Sequence, residues 1–181
     1  MNIIKLSFLF ALLCLCSACQ TSTNTTTQPS TPAVNVEPVS KPQIKHSLGI
    51  IGAVEPIYIL PMKSSFQARI DTGAETSSLD VDDYHIFERD GVKWVSFDIT
   101  NNMTGERQSF EVKQKRRISV KRINKNESRP IVMLNIKFGG KIIKAEFSLA
   151  KREKFEYQVL VGRNILNGRA IVDPSISNTL R

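Results

Sequence analysis

Two dipeptides, Asp90-Gly91 and Gly139-Gly140, constrain what this chain can fold into more than any other feature. Each stands between runs that read as strands: residues 86–89 and 92–100 around the first, 131–138 and 141–149 around the second. A two-residue hairpin turn needs positive φ, which Gly and Asp adopt at low cost, so each pair predicts a tight β-hairpin. After the first turn, Val95, Phe97 and Ile99 share one face while Trp94, Ser96 and Asp98 share the other, the period of a half-buried strand. Other short runs read as strands too: 49–54 and 57–60 separated by Pro56, then 66–70, 75–79, a strand beginning near Phe110 and Val112, 159–161, and 170–172 closed by Asp173-Pro174. Helical periodicity is nearly absent. Residues 163–166 offer one helical turn, and 151–157 is the only other helix candidate. Many short, regularly spaced strands predict an all-β sandwich or barrel.

The ends of the chain belong to no such pattern. Lys5 followed by an apolar run from Leu6 to Cys16 has signal-peptide length and is too short for a spanning helix, which needs roughly 20 apolar residues. Ser17-Ala18 then precedes Cys19. This resembles a bacterial lipoprotein signal, with Cys16 where Leu is usual, and a plain secretory signal is the alternative. Acylation of Cys19 would anchor the chain to a membrane surface. Gln20 in the next position resembles the enterobacterial sorting rule for the outer membrane, facing the periplasm. The expected organisation is a signal over 1–18, a flexible Thr/Ser/Pro-rich tether over 19–46, one domain over 47–177 and a tail over 178–181. The tether cannot bury enough apolar surface to order itself. Extended, it would reach roughly 80 Å at ~3.1 Å per residue, either to carry a domain away from the membrane or as a passive spacer.

Composition narrows the chemistry. All three cysteines, Cys14, Cys16 and Cys19, lie in or at the end of the signal, so the domain has no disulfide, cysteine nucleophile or thiolate metal site. His46 and His85 are far apart and form no zinc-binding pattern. Removing Lys5 takes the formal charge from +8 to +7, and eight basic residues fall between Lys113 and Arg129. That segment reads first as a solvated face and second as a surface drawn to anionic lipid or polymer. Nucleic acid ranks last, because no aromatic platform is interleaved.

The remaining singular feature is Asp71-Thr72-Gly73-Ala74, where an apolar strand runs into a turn carrying one carboxylate. Thr72 can brace the turn and Gly73 permits close approach. Asp71 is either a group that activates water or a turn residue capping its own backbone.

The ordered set 68–79, containing Asp71-Thr72-Gly73-Ala74, and 159–166, Val-Leu-Val-Gly-Arg-Asn-Ile-Leu, resembles the retropepsin-like aspartic peptidases. With Gly162-Arg163, Phe147-Ser148-Leu149, Arg152 and Val172-Asp173-Pro174 it is closer still to a bacterial group labelled ATP-dependent zinc protease. The resemblance covers nearly the whole domain. It implies a closed or partly open β-barrel, one half of an acid protease, with a short C-terminal helical turn. Asp71, Thr72 and Gly73 would be catalytic, with Ala74, Glu75, Gly162 and Arg163 supporting the site. It implies a homodimer, because an aspartic dyad needs two carboxylates that titrate as a unit and this domain has one such loop. No metal and no cofactor are expected. The sequence offers no ligand cluster for zinc and no Gly-x-x-x-x-Gly-Lys loop for nucleotide phosphates.

Arg163 then either pairs with a carboxylate, such as a substrate's, or sits in a surface salt bridge. Glu75 either tunes Asp71 or faces solvent. Asp173 is either a second carboxylate near the site or a turn starter. The leading reading is a membrane-anchored peptidase of the bacterial envelope acting on a peptide or protein. The alternative is a non-catalytic periplasmic lipoprotein that binds a peptide or protein partner with the same fold. A peptidoglycan- or glutamyl-peptide-directed role is a third option without direct support in the residues.

Overall fold

The computed structural model describes residues 45–121, 126–151 and 155–180. The signal, Cys19, nearly all of the tether, Arg122, Lys125, Arg152 and Arg181 lie outside these residues. Eleven strands and one helical turn are described: β1 (Gly49–Ile51), β2 (Val54–Ile59), β3 (Phe66–Ile70), β4 (Ser77–Asp80), β5 (Asp83–Arg89), β6 (Val92–Thr100), β7 (Arg107–Lys121), β8 (Asn126–Phe138), β9 (Lys141–Ala150), β10 (Val159–Val161), α1 (Arg163–Leu166) and β11 (Ala170–Val172).

Both predicted hairpins form. Asp90 and Gly91 have φ of 53° and 71°, Gly139 and Gly140 of 56° and 72°, the positive pairs that match the twist of the strands they join. The main sheet runs β2-β3-β10-β4-β9-β8-β7-β6-β5, and β2 also pairs with β8 through Ile57↔Phe138 and Ile59↔Ile136. That pairing closes a six-strand barrel, from which β7, β6 and β5 continue as an extension. The fold is therefore all-β with one short helix, and of the closed or partly open barrel that the resemblance implied it is the closed form. Its core is lined by inward positions such as Ile57, Phe66, Phe138, Phe147, Leu149 and Val161, all almost fully buried. Burying each large side chain contributes roughly 1.5–3 kcal/mol. Val95, Phe97 and Ile99 of β6 are buried as their alternation predicted.

Four details differ from the sequence reading. Pro56 lies within β2 instead of dividing two strands; β8 engages β2 only from Ile57 onward, so no ladder bond on that side is lost to the missing N–H. The strand expected from Glu75 begins at Ser77, because Glu75 and Thr76 complete the preceding turn. Of the helix considered over 151–157, residues 152–154 lie outside the described set, and Lys151 and 155–157 are not helical. Residues 178–180, expected as a tail, are held against the barrel: Asn178 N–H donates to the Val54 carbonyl at 2.8 Å, and Leu180 packs on the core.

The agent of that attachment is Glu55, which sequence reasoning did not single out. It is fully buried. Its carboxylate accepts from the Gly52 N–H at 2.5 Å, the Thr179 hydroxyl at 2.7 Å and the Leu180 N–H at 2.9 Å. Burial by itself would raise its pKa; the donors from Leu180, Thr179 and Gly52 together outweigh it and hold the carboxyl below its ordinary value.

Candidate active site

The site is built where β10 slots between β3 and β4. Val159 and Val161 pair in parallel with Ala68 and Ile70, while Val159 and Leu160 pair antiparallel with Leu79 and Ser78. The two strands joined by the Asp71 loop are thus held apart by a third. At the loop's start the Asp71 N–H donates to the Val161 carbonyl at 2.9 Å.

Within the loop Asp71 Oδ1 accepts from the Gly73 N–H at 2.8 Å and the Ala74 N–H at 3.1 Å. These bonds satisfy turn amides and fix the plane of the carboxylate. Oδ2 has no hydrogen bond to a described residue, and Asp71 is part-exposed. Self-capping and an available oxygen therefore coexist in one side chain. Thr72, Gly73 and Glu75 are exposed, with Ala74 part-buried behind them.

Arg163 settles in a third way. Its Nη1 donates to the carbonyls of Thr72 at 3.1 Å and Gly73 at 2.7 Å. The guanidinium thus braces the backbone of the Asp71 loop. Its own N–H donates to the Ala74 carbonyl at 2.8 Å. Gly162 is buried against the same loop, and a Cβ there would stand 2.9 Å from the Ala74 carbonyl oxygen. Asp173 is a turn residue, its carboxylate accepting from the N–H and hydroxyl of Ser175 at 2.9 and 2.6 Å.

Three polar residues not foreseen lock α1 to the loop. Ser77 is fully buried; its hydroxyl donates to Asn164 Oδ1 at 2.8 Å and accepts from the Gly162 N–H at 2.9 Å. Asn164 Oδ1 also accepts from the Ser77 N–H at 2.8 Å, and Asn164 Nδ2 donates to the Glu146 carbonyl at 2.9 Å. The Ser148 hydroxyl reaches the Ser77 carbonyl at 3.3 Å. The signal in the sequence was that all three fall in the segments that carry the resemblance, 68–79, 147–149 and 159–166.

A groove of about 440 Å³ opens beside the loop. Ala74, Glu75 and Thr76 form one wall, and Arg116, Ile118, Val120 and Arg129 the other. The basic segment is thus not one uniform solvated face: Lys113, Lys115, Arg116 and Arg117 are exposed, whereas Arg129 is buried. Among the described residues no group of His, Cys, Asp and Glu is placed to hold a metal ion, so the zinc of the group label has no donor set there. No described helix is long and apolar enough to cross a membrane.

Residues 50–180 match the RimB-like family, described as retropepsin-like aspartic endopeptidase RimB. The chain belongs to the RimB-like family. Among curated proteins it is similar to a "Probable alpha-L-glutamate ligase" of Desulfotalea psychrophila, 32% identical over 121 residues, covering 64% of this chain and 26% of that protein. It is also similar to one of Shewanella pealeana, 31% identical over 116 residues, covering 62% and 25%. The chain therefore spans about a quarter of the length of these curated relatives. Among solved structures, a Legionella pneumophila protein of unknown function superposes with a TM-score of 0.63 at 29% identity, covering 74% of this chain and 98% of that one. For a RimB-like chain, the match takes in the Asp71 loop, Gly162-Arg163 and the Glu55 contacts alike.

Proposed function

We propose that this RimB-like chain is one half of an aspartic peptidase whose dyad forms when two copies bring their Asp71 carboxylates together. The observation that carries the reading is the state of that carboxylate: Oδ1 tied to two turn amides, Oδ2 without a partner among the described residues, on a loop braced from behind by Arg163. In such a pair one carboxylate takes a proton from water while the other, protonated, polarises the scissile carbonyl. No metal or nucleotide is part of this scheme. We place the protein in the bacterial envelope, lipid-anchored through Cys19 at the outer membrane and facing the periplasm.

The substrate we assign is a glutamate-rich peptide. Two features support it: the relatives named as glutamate ligases, and a groove beside the loop that carries two arginines. A basic groove concentrates acidic peptides, an effect that salt weakens.

The test compares wild type with Asp71→Asn on glutamate-rich and neutral peptides from pH 4 to 8. Asn keeps the Oδ1 acceptor for Gly73 and Ala74, so the loop survives the change. We expect cleavage to fall at least about 100-fold, with a chelator leaving wild-type activity unchanged. If neither protein cleaves while both retain peptide, the chain is a binding module.

A further inference from the structure

We propose that Arg129 is the residue that reads a carboxylate of the bound peptide, so that it sets the acidic preference of the groove beside Asp71. The proposal rests on the peptidase reading above for its substrate, but its evidence lies in a different part of the molecule.

The argument begins with one extra residue in β7. Gln114 pairs with Val132, and the next pair is Arg116 with Ile131, so Lys115 is bulged out. Side chains alternate along a strand, and an inserted residue flips every later one to the other face. Before the bulge, Gln114 lies on the face of Val132, Leu134 and Ile136, which point into the barrel. After it, Arg116, Ile118 and Val120 share the face of Arg129 and Ile131. Arg116, Ile118 and Val120 are thereby turned to the face of Arg129, and these four residues form the far wall of the groove beside the Asp71 loop.

Arg129 differs from the other cations of this segment. Its side chain is only 6% exposed, against 43% for Arg116. Arg116 spends its charge on Glu146, which it meets at 2.8 Å and which Lys115 also meets at 2.5 Å. Arg129 Nη2 holds Glu127 Oε2 at 2.9 Å, but its Nε–H is buried with no partner among the described residues. A guanidinium presents its donors as a planar fork that fits a carboxylate with two parallel bonds. Here Nη2 holds Glu127 and the neighbouring Nε–H is the donor left over, on a residue that lines a groove whose other wall is the turn that carries Asp71. A buried donor without a partner is costly, and a ligand oxygen that pairs with it relieves that cost, less the desolvation of the ligand's own carboxylate. The opposing charge in the groove is Glu75, on the exposed wall. The matching ligand is a single carboxylate, either a glutamate side chain or a peptide C-terminus.

Binding is read with Asp71→Asn, which retains the groove and does not turn over. The probes are a fluorescent hexaglutamate with an amidated C-terminus and a hexaglutamine with a free one. We expect hexaglutamate to bind, and Arg129→Met in that background to weaken it at least about tenfold while leaving hexaglutamine unchanged. Arg129→Lys, a point charge without the fork, should recover part of the loss. The reverse selectivity would assign Arg129 to the C-terminus instead of the glutamate side chain and overturn the acidic preference. Should the Met variant fail to fold, the Nε–H resonance of Arg129 in the Asp71→Asn protein decides. That signal, identified by its loss in Arg129→Lys, shifts when hexaglutamate is added. Binding without a shift, equal weakening for both peptides, or no binding at all overturns the proposal. Failure of the peptidase reading looks different: cleavage is absent or indifferent to Asp71, yet the resonance still moves.

Discussion

Gly162 shows how little room the Asp71 loop leaves for error. Its backbone is extended, at φ −98° and ψ −176°, so space and not strain demands glycine here. A methyl group would press on the Ala74 carbonyl oxygen at 2.9 Å, the Thr76 carbonyl carbon at 3.0 Å and the Ser77 nitrogen at 3.1 Å, all backbone atoms. We expect Gly162→Ala to destabilise the domain by about 1–3 kcal/mol, measurable by urea unfolding, and to lower the proposed peptidase activity further by displacing the loop. Unchanged stability and activity would show that the loop has slack. The importance of this glycine was legible, because the apolar run 159–161 ending in Gly-Arg stood out in the sequence. The task of Arg163 was not. Its acceptors are carbonyls 91 and 90 residues earlier, and any residue type presents the same carbonyl.

At the level of elements, the readable strands were those with clean alternation. β6 showed its buried face in Val95, Phe97 and Ile99, and the pairs Asp90-Gly91 and Gly139-Gly140 marked two turns. β7 was obscured because Lys115, Arg116 and Arg117 stand where the period reverses, and three adjacent cations carry no period at all. β2 hid a different fact, the burial of Glu55, whose partners Thr179 and Leu180 are 124 and 125 residues away. That carboxylate makes a pH prediction. Its pKa is lower folded than its ordinary 4.5. Its stabilisation is therefore fully present above about 4.5 and is lost as the pH falls through the lower folded value. Glu55→Gln, whose amide group must face one of the three donors, should be less stable than wild type at pH 7 by about 1–3 kcal/mol. The gap should narrow toward pH 3 in thermal unfolding. A gap that stays constant with pH would mean that the contacts at Glu55 do not depend on its charge.

For the molecule as a whole, one Asp71 loop per chain makes the proposed activity a property of two copies. Specific activity should rise with protein concentration in the range where sedimentation shows monomer giving way to dimer. Adding excess Asp71→Asn chains to a fixed amount of wild type should then depress activity, because mixed pairs carry only one working carboxylate. Activity indifferent to added Asp71→Asn would show that each copy acts alone. The threading of β10 has a further consequence, which concerns time. β3 and β4 are neighbours in sequence, yet the strand that belongs between them lies far downstream, and the Asp71 amide finds its acceptor on Val161 only when that strand arrives. Such distant pairings form late, after the long intervening chain has been closed. During synthesis, a chain that has emerged as far as Ala150 already carries Asp71, Thr72 and Gly73, with an empty slot where β10 will sit. The loop thus acquires its shape near the end of folding, and a nascent or truncated chain holds the carboxylate without the geometry that would let it act.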